Sequence, residues 1–194
     1  MKKLMREDLM SLEEYSEARD EFRNNVLAHK RNRRLELGTN ASLYFEDRLT
    51  MQYQVQEMLR IERIFDSAGI NDELDAYNPL IPDGSNWKAT FMIEFPELEE
   101  RRAMLQQLRG IEDRVYVRVG DFDRVFAIAD EDLERADDEK TSAVHFLRFE
   151  LTEEQIAALR SDAELAAGID HDNCTVEILP VPENIRNSLL GDLD

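Results

Sequence analysis

Residues 88–95 read KATFMIEF, and in them Ala89, Phe91, Ile93 and Phe95 alternate with Lys88, Thr90, Met92 and Glu94. Successive side chains of a strand point to opposite faces, so this period of two specifies a β-strand with one face in a core and one toward water. On its C-terminal side, Pro96 and Gly110 bracket a helix carrying Leu98, Leu105 and Leu108. Val115, Val117 and Val119 then lead through Gly120-Asp121-Phe122-Asp123 into 125–129, the spacing of a hairpin. An acidic run over 130–139 joins it to a further strand at 143–151. Thr152-Glu153-Glu154-Gln155 forms a capping box opening a helix with Ile156, Leu159 and Ala163 that stops near Gly168. The last strand falls at 175–181, where Pro180 and Pro182 confine it to a sheet edge, and 183–194 reads as a short docking helix.

The N-terminal side has the helical period instead. Ser11-Leu12-Glu13-Glu14 is a capping box, and Tyr15, Ala18, Phe22, Val26 and His29 continue a helix to about residue 31. Lys30, Arg31, Arg33 and Arg34 follow, complementing the negative end of its dipole. A hairpin is expected from 33–37 to 43–45, with Gly38 and Asn40 in its turn. A second helix runs from the N-cap Asp47 to Phe65, and Met51, Val55, Met58, Ile61 and Phe65 form its apolar face. The segment 66–86 carries Gly69, Pro79, Pro82 and Asp83-Gly84; it reads as a long loop, a lid pinned over the core by Leu74, Tyr77, Leu80 and Ile81. The expected fold is α+β: one domain over 1–194, with a helical N-terminal third packed on an antiparallel sheet of about five strands.

Composition narrows function. Of 194 residues, 42% are hydrophobic and 35% charged, the balance of a globular chain. No apolar run reaches the roughly 18 residues of a membrane span, and Arg6, Glu7 and Asp8 interrupt the place of a signal-peptide core. The single Cys174 makes no intramolecular disulfide, which fits a cytoplasmic setting and leaves the glycosylation patterns at Asn40 and Asn173 without meaning. A formal charge of -19 repels phosphate backbones and anionic membranes, so neither nucleic acid nor membrane is expected as a partner.

The signatures of phosphate loops, nucleophile elbows and paired-cysteine zinc sites are absent. Cys174 lies in an acidic neighbourhood that disfavours a thiolate. His145 shares a strand face with Ala143, Leu147 and Phe149, as a hydrogen-bonded core histidine does, and His171 falls in an exposed turn. Glu62 is the anomaly, a carboxylate projected among Met51, Val55 and Met58. A buried carboxylate must be neutralised, paired or metal-bound. Arg34, Arg60 and Arg63 are candidate partners; the metal alternative joins Glu62 to Glu57, Glu46 and His29. The Glu-x-x-His repeat of a di-iron bundle is missing, since Arg60 and Phe65 stand three residues after Glu57 and Glu62.

Three long blocks, FEDRLTMQYQVQEMLRIERIF (45–65), ELDAYNPLIPDGSNWKATFMIEFP (73–96) and DEKTSAVHFLRFEL (138–151), resemble the bacterial family known as domain of unknown function 3501, and the likeness runs over nearly the whole chain. The resemblance carries no reaction and no catalytic residues. It implies a genomic neighbourhood of rubrerythrin-like proteins and iron-sulfur carriers, hence a setting in redox metabolism or peroxide defence. Two functions follow as expectations: a non-enzymatic accessory protein presenting an acidic surface to such a partner, or a metal- or cofactor-dependent enzyme with its site between the second helix, the long loop and the sheet. A homodimer through the apolar second helix is a further expectation.

Overall fold

The computed structural model describes residues 2–131 and 140–194. The fold is α+β, with helices α1 (Leu12–Lys30), α2 (Arg48–Glu62) and α3 (Ser67–Tyr77) in the N-terminal part and α4 (Leu98–Gln107), α5 (Glu153–Arg160) and α6 (Glu183–Leu190) distributed among the strands. Two antiparallel sheets are present. The larger contains β1 (Arg34–Glu36), β2 (Ala41–Glu46), β3 (Asn86–Ile93), β7 (Val144–Glu150) and β6 (Ile128–Ala129) in that order. The smaller contains β5 (Val125–Phe126), β4 (Val115–Val119), β8 (Leu165–His171) and β9 (Cys174–Ile178). The expected five-stranded sheet is thus joined by a second one.

Strand β3 behaves as its alternation dictates. Trp87, Ala89, Phe91 and Ile93 are buried, while Lys88, Thr90 and Met92 are half-exposed on the other face. Its neighbours keep the same register, with Leu43 opposite Phe91 and Leu147 opposite Ala89. These side chains join Val115, Val117, Val119, Leu165, Ala167 and Ile169 of the smaller sheet in one buried cluster. Each large apolar side chain so buried contributes about 2 kcal/mol, which makes this cluster the main source of stability. The expected hairpin at 115–129 is divided between the sheets. Val125 and Phe126 pair with β4, Ala127 N donates to Val115 O, and Ile128 and Ala129 pair with β7.

The N-terminal helices close a second cluster of Leu4, Met51, Val55, Leu59, Leu74 and Ile81. Helix α1 begins at the Ser11 capping box as expected, and α2 begins at Asp47, whose side chain accepts from Thr50 N. Three expectations are corrected here. Helix α2 ends at Glu62, because Arg63 adopts the left-handed conformation (φ 56°, ψ 46°) and turns the chain. The segment after it is largely helix rather than loop: Asp66 accepts from Ala68 N and Gly69 N and starts α3, while Leu74 and Ile81 do bury as the lid reading required. Residues 165–171, read as the end of a helix and a turn, form strand β8. The expected acidic run lies mostly at 132–139, outside the described residues.

Candidate functional site

Arg33, immediately before β1, is buried to 2% exposure and ties the helices to the sheet. Its Nε donates to Phe45 O at 2.9 Å, its Nη2 to Glu46 O at 3.1 Å and to Asp192 Oδ2 at 2.5 Å, and its Nη1 to Asp192 Oδ1 at 3.2 Å. His29 Nε2 lies 2.5 Å from Asp47 Oδ2, whose oxygen is also 3.4 Å from Arg33 Nε. Burial opposes ionisation of Asp47, but Arg33, Thr50 N–H and His29 outweigh it and hold the carboxyl below its ordinary value. At Asp192 burial prevails over the pull of Arg33, and the carboxyl is pushed up to about 6. Two expected site residues border this network: His29 through Asp47, and Glu46, whose carboxylate turns away to accept from Thr90 Oγ1 at 2.8 Å.

The other two lie elsewhere. Glu57 faces α1, where it accepts from Arg19 Nε at 2.7 Å, Arg19 Nη2 at 3.0 Å and Tyr15 Oη at 2.7 Å, and on its own helix it accepts from Arg60 Nη2 at 3.1 Å. The Arg19 hydrogen bonds are the main reason its carboxyl falls to about 2. Glu62 is exposed, which corrects its projection onto a buried face. The buried stripe of α2 is Met51, Val55 and Leu59, with Thr50 and Gln56 beside it, and the last turn from Arg60 onward buries nothing. Glu57, rather than Glu62, takes the arginine partners. Among the described residues no group of three His, Cys, Asp or Glu is arranged to hold a metal ion.

The end of α2 is nevertheless unusual. Ile61 is 61% exposed and Phe65 70% exposed, the two largest exposures among the large apolar side chains described. Glu62 sits between them in sequence. Its charge, with that of Asp72 and after the effect of burial, raises the carboxyl of Glu73 on α3, so these three acids crowd one corner.

Two polar constellations escaped the sequence. His145 is fully buried on β7, as a core histidine should be. Its Nδ1 lies 2.5 Å from Asp130 Oδ2 and its Nε2 2.8 Å from Thr141 Oγ1, while Thr141 Oγ1 donates to Glu112 Oε2 at 2.9 Å. The order carboxylate, imidazole, hydroxyl is that of a nucleophilic triad, but Thr141 is 1% exposed and its proton is directed to Glu112. The array fixes the entrance to β7; Asp130, held at φ 49°, also accepts from Phe146 N. His171 ends β8, with its Nε2 3.0 Å from Arg109 O. Cys174 is half-buried on β9, and burial raises its thiol.

The second constellation lines a cleft of about 790 Å³ between α3 and the outer face of the larger sheet. Tyr77, Pro79 and Leu80 form one wall, and Lys88, Phe146 and Arg148 form the floor. Lys88 and Arg148 are register partners on β3 and β7. Arg148 is held by Glu131 (2.8 and 2.9 Å) and also donates to Glu150. Lys88 donates to Pro79 O, and burial lowers its ammonium below the ordinary lysine value. The only sequence signal for this cleft was the lysine on the solvent face of β3.

No curated protein matches the chain. A crystal structure of a novel protein of unknown function from Burkholderia pseudomallei, solved at 1.90 Å, is 50% identical over 100% of both chains with a TM-score of 0.94. A model of the family described as protein of unknown function (DUF3501) matches residues 3–193, and the chain belongs to that family.

Proposed function

We propose that the chain is a non-enzymatic accessory protein that docks a basic partner through the corner where α2 meets α3. The observation that carries this reading is the exposure of Ile61 and Phe65 beside Glu62, Asp72 and Glu73, on a chain of formal charge -19. Covering two such side chains yields about 2 kcal/mol each, and cations brought beside crowded carboxylates relieve their mutual repulsion. Apolar anchors within a charged rim are the ordinary anatomy of a protein interface. The partners to test first are rubrerythrin-like proteins and iron-sulfur carriers, those implied by the family resemblance, in a bacterial redox or peroxide-defence setting. A cytoplasmic location accords with a fold that needs no disulfide, and no helix of the described residues is long and apolar enough to cross a membrane. The test is affinity capture at low salt with the wild type and with an F65S/E62K variant as baits. A partner retained by the wild type alone and released by salt supports the proposal; identical captures by both baits overturn it. If the corner instead seats a second copy, light scattering shows a dimer in the wild type and a monomer in the variant.

A second reading is an enzyme dependent on a metal or cofactor; the cleft over Lys88 and Arg148, between the 66–86 segment and the sheet, offers room for an organic cofactor, although its two cations are not metal ligands. The lowered lysine is a better base and nucleophile than a solvated one. Elemental analysis and an absorption spectrum of tag-free protein purified without chelators test this reading. A stoichiometric metal or chromophore supports it, and a colourless, metal-free protein weighs against it.

A further inference from the structure

Three of the basic residues of this acidic chain meet at one groove. It encloses about 690 Å³ between the C-terminal end of α1, strand β1, and the segment joining β9 to α6. Lys30, Arg31 and Arg34 line it with Leu27, Leu35 and Ile178. The one acid in its lining is Glu36, 3.3 Å from Arg34, and both side chains of that pair are widely exposed, so the pair is weak. Glu94 also lies 4.0 Å from Arg34, and among the described residues no carboxylate forms an ion pair with Lys30 or Arg31. The dipole of α1 accounts for a cation in its last turn, but Arg31 and Arg34 lie past that turn.

The floor beside these cations is apolar. Leu27 is 42% exposed within the groove, and Leu179, next to Ile178, is 48% exposed. Its wall is an open edge, because β1 is the terminal strand of the larger sheet. Phe45 N donates to Arg33 O and Leu37 N to Ala41 O, both at 2.8 Å. In an antiparallel pair the bonding residues alternate, so the main-chain N–H and C=O groups of Arg34 and Glu36 face away from β2. They are the donors and acceptors that an added strand would use. Arg34 packs its guanidinium 5.4 Å from the centre of the Tyr44 ring, which orders a cation beside that edge.

We infer that this groove binds an extended acidic segment of a partner protein, which adds to β1 as a further strand. Alternate side chains of such a segment reach opposite faces. One set places carboxylates against Lys30, Arg31 and Arg34, and the other places apolar groups against Leu27 and Ile178. Charge selects the segment, since the net charge of -19 repels acids in general while three cations gathered in this groove attract them locally. The surface is distinct from the α2–α3 corner, and the inference does not depend on the function proposed there.

The experiment is fluorescence polarisation on the full chain with short labelled peptides: one alternating glutamate with valine, one alternating lysine with valine, and a glutamate–valine peptide N-methylated at alternate residues. The glutamate–valine peptide is expected to bind, to weaken with salt, and to lose roughly tenfold in affinity with R31E/R34E. K30E/R31E, which leaves the Arg34–Tyr44 contact intact, is expected to weaken it as well; matching thermal midpoints establish that both variants fold. The N-methylated peptide is expected not to bind, because strand addition needs its amide hydrogens. Equal binding of the lysine–valine peptide, unchanged affinity in both variants, or full binding of the N-methylated peptide would each overturn the inference. Tighter binding of a single-stranded oligonucleotide, or a wild-type dimer dissociated by R31E/R34E, would assign the groove to a different occupant and overturn it too.

Discussion

Replacing Glu57 with Gln keeps the shape of the side chain and removes its charge from between Arg19, Arg60 and Tyr15. The carboxyl lies at about 2 in the fold against an ordinary 4.5, which corresponds to ~3 kcal/mol of stabilisation if the partners were wholly shielded. They are not: the side chains of Arg19 and Arg60 are 30% and 41% exposed, so solvent screening reduces the expected loss to ~1.5 kcal/mol. The carboxyl is depressed in the fold, so its contribution is complete above the ordinary value and disappears as the pH falls from about 4.5 toward about 2. Urea denaturation of wild type and E57Q at pH 7 and pH 3 measures both quantities. The variant is expected to be less stable at pH 7, and the difference is expected to shrink at pH 3. A variant within about 0.5 kcal/mol of wild type at pH 7, or a difference independent of pH, would refute the assignment of Glu57 as the ionic link between α1 and α2.

Asp192→Ala leaves Arg33 buried without its bidentate carboxylate, and removing one partner of a buried pair costs about 3–5 kcal/mol; chemical denaturation is expected to show this loss. Gly168→Ala would put a Cβ 2.4 Å from Val176 O and 2.6 Å from Tyr116 Oη, so β8 and β9 must separate; circular dichroism is expected to show a large fall in thermal midpoint or no folded protein. Phe65→Ser touches a side chain that is 70% exposed and is expected to change stability by less than about 0.5 kcal/mol while weakening partner capture. Thr141→Val keeps the volume but deletes the hydroxyl joining His145 to Glu112, so the buried Glu112 loses that donor while His145 Nε2 keeps Ser142 O at 3.1 Å; a loss of ~2 kcal/mol is expected in denaturation.

Where one face of an element meets water, its pattern could be read directly. Strand β3 alternates because only Trp87, Ala89, Phe91 and Ile93 enter the core, and the capping boxes at Ser11 and Thr152 mark true helix starts. Strand β8 hid because its first five residues, Leu165 to Ile169, are all buried, so no polar face interrupts the apolar run. Gly168, which resembled a helix stop, is there because Tyr116 and Val176 leave no room for a side chain. Gly69 resembled a breaker in 66–86, yet it stands near the start of α3, where Asp66 receives its amide hydrogen. The burial assigned to Glu62 failed on a local detail: the left-handed Arg63 ends α2 a few residues before Phe65, and a non-glycine residue at such a position gives no warning in sequence.

The polar sites were less legible because they are assembled from distant segments. Arg33 and Asp192 are 159 residues apart, and the anomaly suspected at Glu62 belonged to Glu57, one face of the helix away. Lys88 could be placed on a solvent face, but the wall that makes a cleft of it comes from α3, a helix concealed in an apparent loop.

Amide hydrogen exchange on the chain, alone and saturated with the partner captured at low salt, tests the docking account most directly. The account predicts slowed exchange confined to the end of α2, the turn through Phe65 and the first turns of α3, with the protection fading as salt is raised. Protection centred elsewhere, with the α2–α3 corner unchanged, would contradict it.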